Sequence, residues 1–221
     1  MIQARFRSDY SGEFVILESK WSGGTKHQKR EWVANPIENH HISGRAAVIG
    51  SKIDIEYFDY KKLENHRGGL LGSKRLQTYG SGDLWTDMKF DFIAITDQTQ
   101  LVEVKEQKYS EDNIVYTTAR NCIRNPENFY LVPYNPSISQ ISLPIYLAAF
   151  DGHTDIFLLG YNNETPYIDL SWKEQINSII KSYSQTNFIL VGIESNMPTF
   201  WRENQNVKCM TYREFISYCD V

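Results

Sequence analysis

The stretch FDFIAITDQTQLVEVKEQK, residues 90–108, holds three residues of the types that cut a phosphodiester with a metal. Asp91 sits in an apolar approach, and Glu103 and Lys105 follow it as a Glu-x-Lys pair. Clustered carboxylates would hold Mg²⁺, and the lysine would steady the attacking water. That chemistry requires 100–105 to be a strand paired antiparallel with 90–96. Val102 and Val104 would then face one way and Glu103 and Lys105 the other.

A different chemistry starts from glycines. In an open parallel sheet, ligands sit beyond the carboxyl ends of the strands, near helix N-termini that attract phosphate. Gly50-Ser51 follows the apolar run RAAVI, Gly80-Ser81-Gly82-Asp83 follows RLQTY, and Asp97 follows FIAIT. Glycine lets backbone approach a ligand closely. Transfer to a hydroxyl then needs a base and positive charge toward a departing phosphate. Asp83, Asp87 and His66 are the candidate bases, and Arg67, Lys74 and Arg75 the candidate phosphate contacts. His153, in the tight turn Gly152-His153, reads as structural. On this second reading 98–107 is a helix, and Glu103 and Lys105 lie in solvent. No metal ligand set is assigned, since transfer of this kind can proceed without one.

The elements that would position these residues read as α/β. RAAVIGS, FDFIAIT, NIVYTT, NFYLVPY, DIFLLGYN and NFILVGIE are short apolar runs of the kind that parallel strands buried on both faces require. SQISLPIYLAAFDG is an almost wholly apolar helix with Pro144 near its start, ending at Gly152. DYKKLENHRGG reads as a polar helical piece. Ser171 and Glu174, and Thr211 and Glu214, stand at capping-box spacing. Upstream, EFVILESKW and QKREWVANP flank the Gly-rich turn SGGTKH as a β-hairpin. The fold class is therefore Rossmann-like α/β: a mostly parallel sheet with helices on both faces, preceded by an N-terminal hairpin. The expected division is 1–44 for the hairpin and 45–221 for the nucleotide-binding domain.

Composition narrows the setting. Hydrophobic residues make up 41% of the 221, with 14 Tyr, 11 Phe and 5 Trp, so a large core is expected and disorder is not. A formal net charge of −4 argues against a protein that coats nucleic acid. Residues 1–45 nevertheless hold seven Lys/Arg against five Asp/Glu, while 46–221 hold sixteen against twenty-two. Any nucleic-acid contact would lean on the first part, where Lys29 and Arg30 lie beside Trp32. Cys122, Cys209 and Cys219 have no metal-site spacing, which points to a reducing, cytoplasmic setting. MIQARFRSDY has no apolar core of a signal peptide, and no apolar run reaches membrane-helix length.

The order AVIGS, LQTYGSGDLWTDMKFDFIAITD, IVYTTA, PIYLAAFDGHTDIFLLGYN resembles a Rossmann-like transferase group. It includes the sialyltransferases of glycosyltransferase family 42 and the proteins similar to archaeal 6-hydroxymethylpterin diphosphokinase (the DUF115 group). The resemblance covers roughly 45–165. It implies a nucleotide-sugar donor held at Gly50, Ser51, Gly80, Ser81, Gly82, Asp97 and the Gly160–Asn162 segment, with sugar transfer to a hydroxyl. The chain departs from the group's pattern: AVIGSKID lacks the usual Asn and Pro-Ser, Ser81-Gly82 replaces Cys-Asn, SQISLP lacks the Ser-Gly pair, and Asn162 replaces Asp. NPIENHHISGRAAVIG has the texture of tailed-phage proteins, some of which place sugars on modified cytosines, so phage DNA is an acceptor in view. Two rivals stay open. One is a Mg²⁺-dependent nuclease resembling the PD-(D/E)xK type, using Asp91, Glu103 and Lys105. The other is a catalytically silent nucleotide-binding module.

Overall fold

The computed structural model describes residues 2–3, 16–22, 25–31, 44–54, 56–66, 76–125, 128–161 and 171–219. In chain order its strands are β1 (Ile2–Gln3), β2 (Ile16–Ser22), β3 (Thr25–Glu31), β4 (Arg45–Ile49), β5 (Gln77–Ser81), β6 (Phe92–Ala94), β7 (Ile114–Thr117), β8 (Tyr130–Leu131), β9 (Asp155–Leu159), β10 (Asn187–Val191) and β11 (Val207–Met210). Its helices are α1 (Gln98–Glu106), α2 (Tyr109–Asp112), α3 (Ala119–Arg124), α4 (Leu143–Phe150), α5 (Ser171–Ser182), α6 (Thr199–Arg202) and α7 (Tyr212–Cys219). Short 3-10 segments cover Tyr60–His66, Gly82–Thr86 and Glu194–Asn196.

Strands β1, β2 and β3 form an antiparallel sheet, in which Lys29 stands opposite Glu18 and Arg30 opposite Leu17. The other eight strands form an all-parallel sheet in the order β11-β10-β9-β4-β5-β6-β7-β8, flanked by helices on both faces. By contacts the chain divides into two compact units, residues 1–39 with 95–137 and residues 40–94 with 138–221.

In the second unit the register explains how helices come to cover both faces. Ala47, Thr78, Phe157 and Ile189 stand level, so their side chains share one face. Tyr79, Val48, Leu158 and Leu190 are one residue on and share the other. Phe215 of α7 packs on Phe157 with centroids 5.1 Å apart. Asp151, just past α4, meets Tyr79 on the opposite face. Helix α4 is apolar nearly all round because it is buried nearly all round; Tyr146 alone of its residues is half-exposed. Pro144 starts it and Gly152, with φ +86°, turns the chain into β9.

Several polar groups inside this core are paired with one another. The Tyr79 hydroxyl donates to Asp151 Oδ2 at 2.6 Å and lies 3.0 Å from His153 Nε2, all three residues being essentially inaccessible. His153 thus has the structural place expected of it. The Thr211–Glu214 capping box closes as expected: Thr211 N–H and Oγ1 donate to Glu214 Oε2, and Glu214 N–H donates to Thr211 Oγ1. At α5 the Ser171 hydroxyl accepts from Gln175 Nε2. The DYKKLENH piece is 3-10 rather than α-helical, and β11 has no counterpart in the sequence reading.

Candidate functional site

The strand order reverses direction beside β4. From β4 the chain steps outward through β5 to β8, then returns to β9 on the other flank of β4. Ligands of open α/β sheets bind beyond the carboxyl ends at such a reversal. Here that place carries Gly50-Ser51 after β4 and Gly160-Tyr161 after β9. The two turns grip each other. Gly50 N–H donates to Leu159 O at 2.9 Å, and Ser51 Oγ donates to Gly160 O at 2.6 Å. Gly160 adopts φ +71°, and a Cβ there would lie 2.5 Å from Ser51 O. A Cβ on Gly50 would lie 2.5 Å from the Tyr161 ring. That ring is 2% exposed, and its hydroxyl donates to Ile141 O at 2.9 Å. Gly50 is therefore small to admit Tyr161.

The next strand end repeats this logic and then opens. Gly80 lies within β5, and a Cβ there would meet the Phe90 ring at 2.8 Å. Ser81 ends β5 with its hydroxyl 3.5 Å from Gly50 O. Gly82, at φ +62°, starts the 3-10 segment that carries Asp83 and delivers Asp87. Asp87 Oδ2 accepts from Lys52 Nζ at 2.9 Å and from the Tyr60 hydroxyl at 2.9 Å. Burial would raise the Asp87 carboxyl, but the two donors outweigh it and hold it below the usual carboxylate range. The Asp87 hydrogen bond raises Lys52, and Asp83 adds to that through its charge. Burial, then Asp87, pushes the Tyr60 phenol well above its usual value. Asp83 is exposed, and among the described residues its carboxylate has no hydrogen bond. Lys52 and Tyr60 were not singled out by the sequence reading; a cation just past a central strand's glycine turn was the available signal.

The remaining sequence candidates are scattered or engaged. Asp97 is the N-cap of α1, its Oδ1 accepting from Gln100 N–H at 3.0 Å. His66 ends the 3-10 segment that starts at Tyr60. Lys29 and Arg30 lie on β3. Arg67, Lys74, Arg75 and Asn162 lie outside the described residues.

The hairpin needed for a nuclease centre is absent. Residues 98–106 form α1, whose buried Leu101 and Val104 alternate with exposed Glu103 and Lys105 at helical spacing. Asp91 is 4% exposed, and its Oδ2 accepts from Thr78 N–H at 2.9 Å and Thr78 Oγ1 at 3.1 Å. Its own N–H donates back to Thr78 Oγ1 at 2.9 Å. Asp91 is thus a staple between the starts of β5 and β6. Among the described residues no three of His, Cys, Asp or Glu are grouped so as to hold a metal ion. No helix among them is long and apolar enough to cross a membrane.

No family model, curated protein or solved structure matches this chain.

The N-termini of α1, α3 and α7 also differ from those of a phosphate-binding sheet, where free N–H groups face the anion. The first turn of α1 is capped by the Asp97 carboxylate and that of α7 by the Thr211 hydroxyl, which accepts from Glu214 N–H, while Ala119 N–H at the start of α3 donates to Asn135 Oδ1. Positive charge at the β4 end comes instead from the Lys52 side chain.

One open cleft lies at the ends of β9 and β10. It has a volume of about 100 Å³ and is lined by Tyr57, Gly160, Tyr161, Gly192, Ile193, Asn196 and Tyr212, among others. The connection after β4 serves both places: Lys52 and Tyr60 reach Asp87, while Tyr57 lines the cleft. Tyr57 and Tyr212 stack with centroids 6.3 Å apart, and Phe58 stacks on Tyr212 at 6.0 Å. Burial raises the Tyr212 phenol against the opposing effect of a Gly160 backbone hydrogen bond.

Proposed function

We propose that the chain is a nucleotide-sugar-dependent glycosyltransferase acting at the carboxyl ends of β4 and β5. The observation that carries this reading is the cluster of Lys52, Asp87 and Tyr60 beside Asp83, whose carboxylate has no hydrogen bond among the described residues. Such a cluster supplies what sugar transfer to a hydroxyl asks for. The bond from the anomeric carbon to the donor phosphate breaks, and the nucleotide leaves with the electron pair. The acceptor oxygen bonds to that carbon, and its proton passes to a carboxylate. Asp83 suits the base role better than Asp87, because donors to Asp87 already weaken its hold on a proton. Lys52 would face the departing phosphate. The cationic pair Lys29 and Arg30 makes DNA the first acceptor to try.

A panel of nucleotide sugars, read by thermal shift and then by product formation, tests the reading. At least one donor should raise the midpoint. Lys52→Ala should weaken that donor about tenfold or more, and Asp83→Asn should keep binding while losing transfer. Binding of a donor with no turnover on any hydroxyl acceptor would leave a silent nucleotide-binding module, and no shift with any donor would refute both.

A further inference from the structure

We propose that the cleft between Tyr57, Ile193, Asn196 and Tyr212 is a subsite for one flat heteroaromatic ring, a nucleobase. This rests on the transferase reading above and places the ring of its donor across the strand reversal from Lys52. Three observations carry it.

The first is size. Pockets that enclose a drug-sized ligand span roughly 300–1,000 Å³. At about 100 Å³ the cleft takes a single ring and leaves a sugar and phosphate outside. The second is the wall. Tyr57 is 57% exposed and Ile193 51%, so an aromatic face and an aliphatic face stand open beside the cleft. Aromatic side chains bind bases of any sequence by stacking. The half-buried Tyr212 backs Tyr57, and the buried Phe58 backs Tyr212 in turn, so the stacking surface is fixed before a ligand arrives. Gly192, at φ +144°, brings no side chain into the floor. The third is polarity. Asn196 offers a carboxamide with both donors and an acceptor, and the one hydrogen bond of that carboxamide among the described residues is from the Ser195 hydroxyl, long at 3.4 Å. A carboxamide pairs edge-on with a ring that places a donor next to an acceptor, as nucleobases do and simple phenyl rings do not.

The location fits the same argument. The cleft lies at the carboxyl ends of β9 and β10, on one flank of the reversal, and Lys52 follows β4 on the other. One connection, residues 50–60, carries both Lys52 and Tyr57. A ligand that reaches from ring to phosphate would therefore lie along that connection.

The test uses the full chain and the four free ribonucleosides, which carry the ring and no phosphate. Binding is followed by saturation-transfer NMR and by isothermal titration. At least one nucleoside should bind. Tyr57→Ala should weaken it about tenfold or more, and Asn196→Ala should narrow the preference among the four. Lys52→Ala should leave nucleoside affinity unchanged. All three side chains are at least partly exposed, so the variants should fold; matching unfolding midpoints check this. Absence of binding by any nucleoside, or binding indifferent to Tyr57→Ala, overturns the subsite. The two readings fail separately. Nucleosides that bind through Tyr57 while no nucleotide sugar is bound or used would sustain the subsite and sink the transferase. A donor that is turned over with a KM unchanged by Tyr57→Ala would do the reverse.

Discussion

Gly50→Ala separates a glycine kept for a ligand from a glycine kept for packing. An alanine Cβ at position 50 would lie 2.5, 2.6 and 2.8 Å from three carbons of the Tyr161 ring, where ordinary contact begins at 3.4 Å. The ring must retreat by roughly 1 Å, and close-packed interiors do not give that freely. Its hydroxyl is tied to Ile141 O at 2.9 Å, and Trp172 lies 6.4 Å away on centroids. Overpacking of this kind costs about 1–3 kcal/mol. Losing the hydroxyl bond adds about 1 kcal/mol. Gly50 is outside the left-handed region, so alanine also stiffens the unfolded chain and returns about 0.4–1 kcal/mol. The net expectation is a loss of about 1–3.6 kcal/mol, or roughly 2–14 °C in Tm for a chain of this size.

Urea unfolding followed by tryptophan fluorescence measures this. The decisive comparison is a double-mutant cycle with Tyr161→Ala. If the clash is the whole cost, the Cβ at 50 enters the space the ring has left. Gly50→Ala/Tyr161→Ala should then be no less stable than Tyr161→Ala alone. A Gly50→Ala protein within about 0.5 kcal/mol of the parent, or costs that simply add, would refute the packing argument and restore Gly50 as a ligand-approach glycine.

Tyr79→Phe removes a buried hydroxyl shared by Asp151 and His153 and should cost about 2–4 kcal/mol in the same assay; a loss under about 1 kcal/mol would mean the two partners re-pair without it. Asp87→Asn should destabilise by less than about 1 kcal/mol at pH 7, because its Lys52 partner is 56% exposed. The folded Asp87 carboxyl lies below its unfolded value of about 3.9, so its contribution is present above that pH and is lost as pH falls through the folded value. Urea midpoints of parent and Asp87→Asn should therefore converge well below pH 4, and a constant gap would place the effect outside ionisation. Lys52 has the opposite sign: its raised value means its share persists below about pH 10.4 and disappears as pH rises through the folded value. Charge reversal at Lys29 and Arg30 should weaken DNA binding in fluorescence anisotropy and flatten its salt dependence, and unchanged binding would remove DNA as the acceptor.

The sheet was legible where burial on both faces forces an unbroken apolar run. RAAVI, DIFLL and NFILV became β4, β9 and β10, and LPIYLAAF became α4. β11 has no such run. Its residues Val207–Met210 are half-exposed or exposed at the sheet's edge, so VKCM carries Lys208 and Cys209 and reads as loop. The role of a glycine was not legible at all, because it depends on which ring arrives. Phe90 comes to Gly80 from ten residues on, but Tyr161 comes to Gly50 from the far half of the chain. Asp91 misled for a related reason: an aspartate before an apolar strand looks the same whether it meets a metal or Thr78. Asp97 did carry a local signal, since Asp97 and Gln100 stand at capping-box spacing before a helix.

The capped helices bear on how an anion would be recognised. Free N–H groups at a helix start bind phosphate at no cost in side-chain order. At α1 Gln100 N–H already meets the Asp97 carboxylate, and at α7 Thr211 N–H meets the Glu214 carboxylate while Glu214 N–H meets the Thr211 hydroxyl; the carboxylates repel a second anion. Recognition must then pass to a side chain, and Lys52 is engaged by Asp87. An exposed pair of this kind is worth less than about 1 kcal/mol, so on the transferase proposal a phosphate with two or three acceptor oxygens would displace Asp87 at little expense. The Tyr60 hydroxyl also donates to Asp87 and would hold it in place through such an exchange. The loss of Lys52 lets the Asp87 carboxyl rise back toward its ordinary value, since Lys52 is the leading donor that lowers it. A pair that contributes little to stability is thus one that a donor phosphate would exchange easily. The same exchange would make Asp87 a stronger base than it is in the free protein.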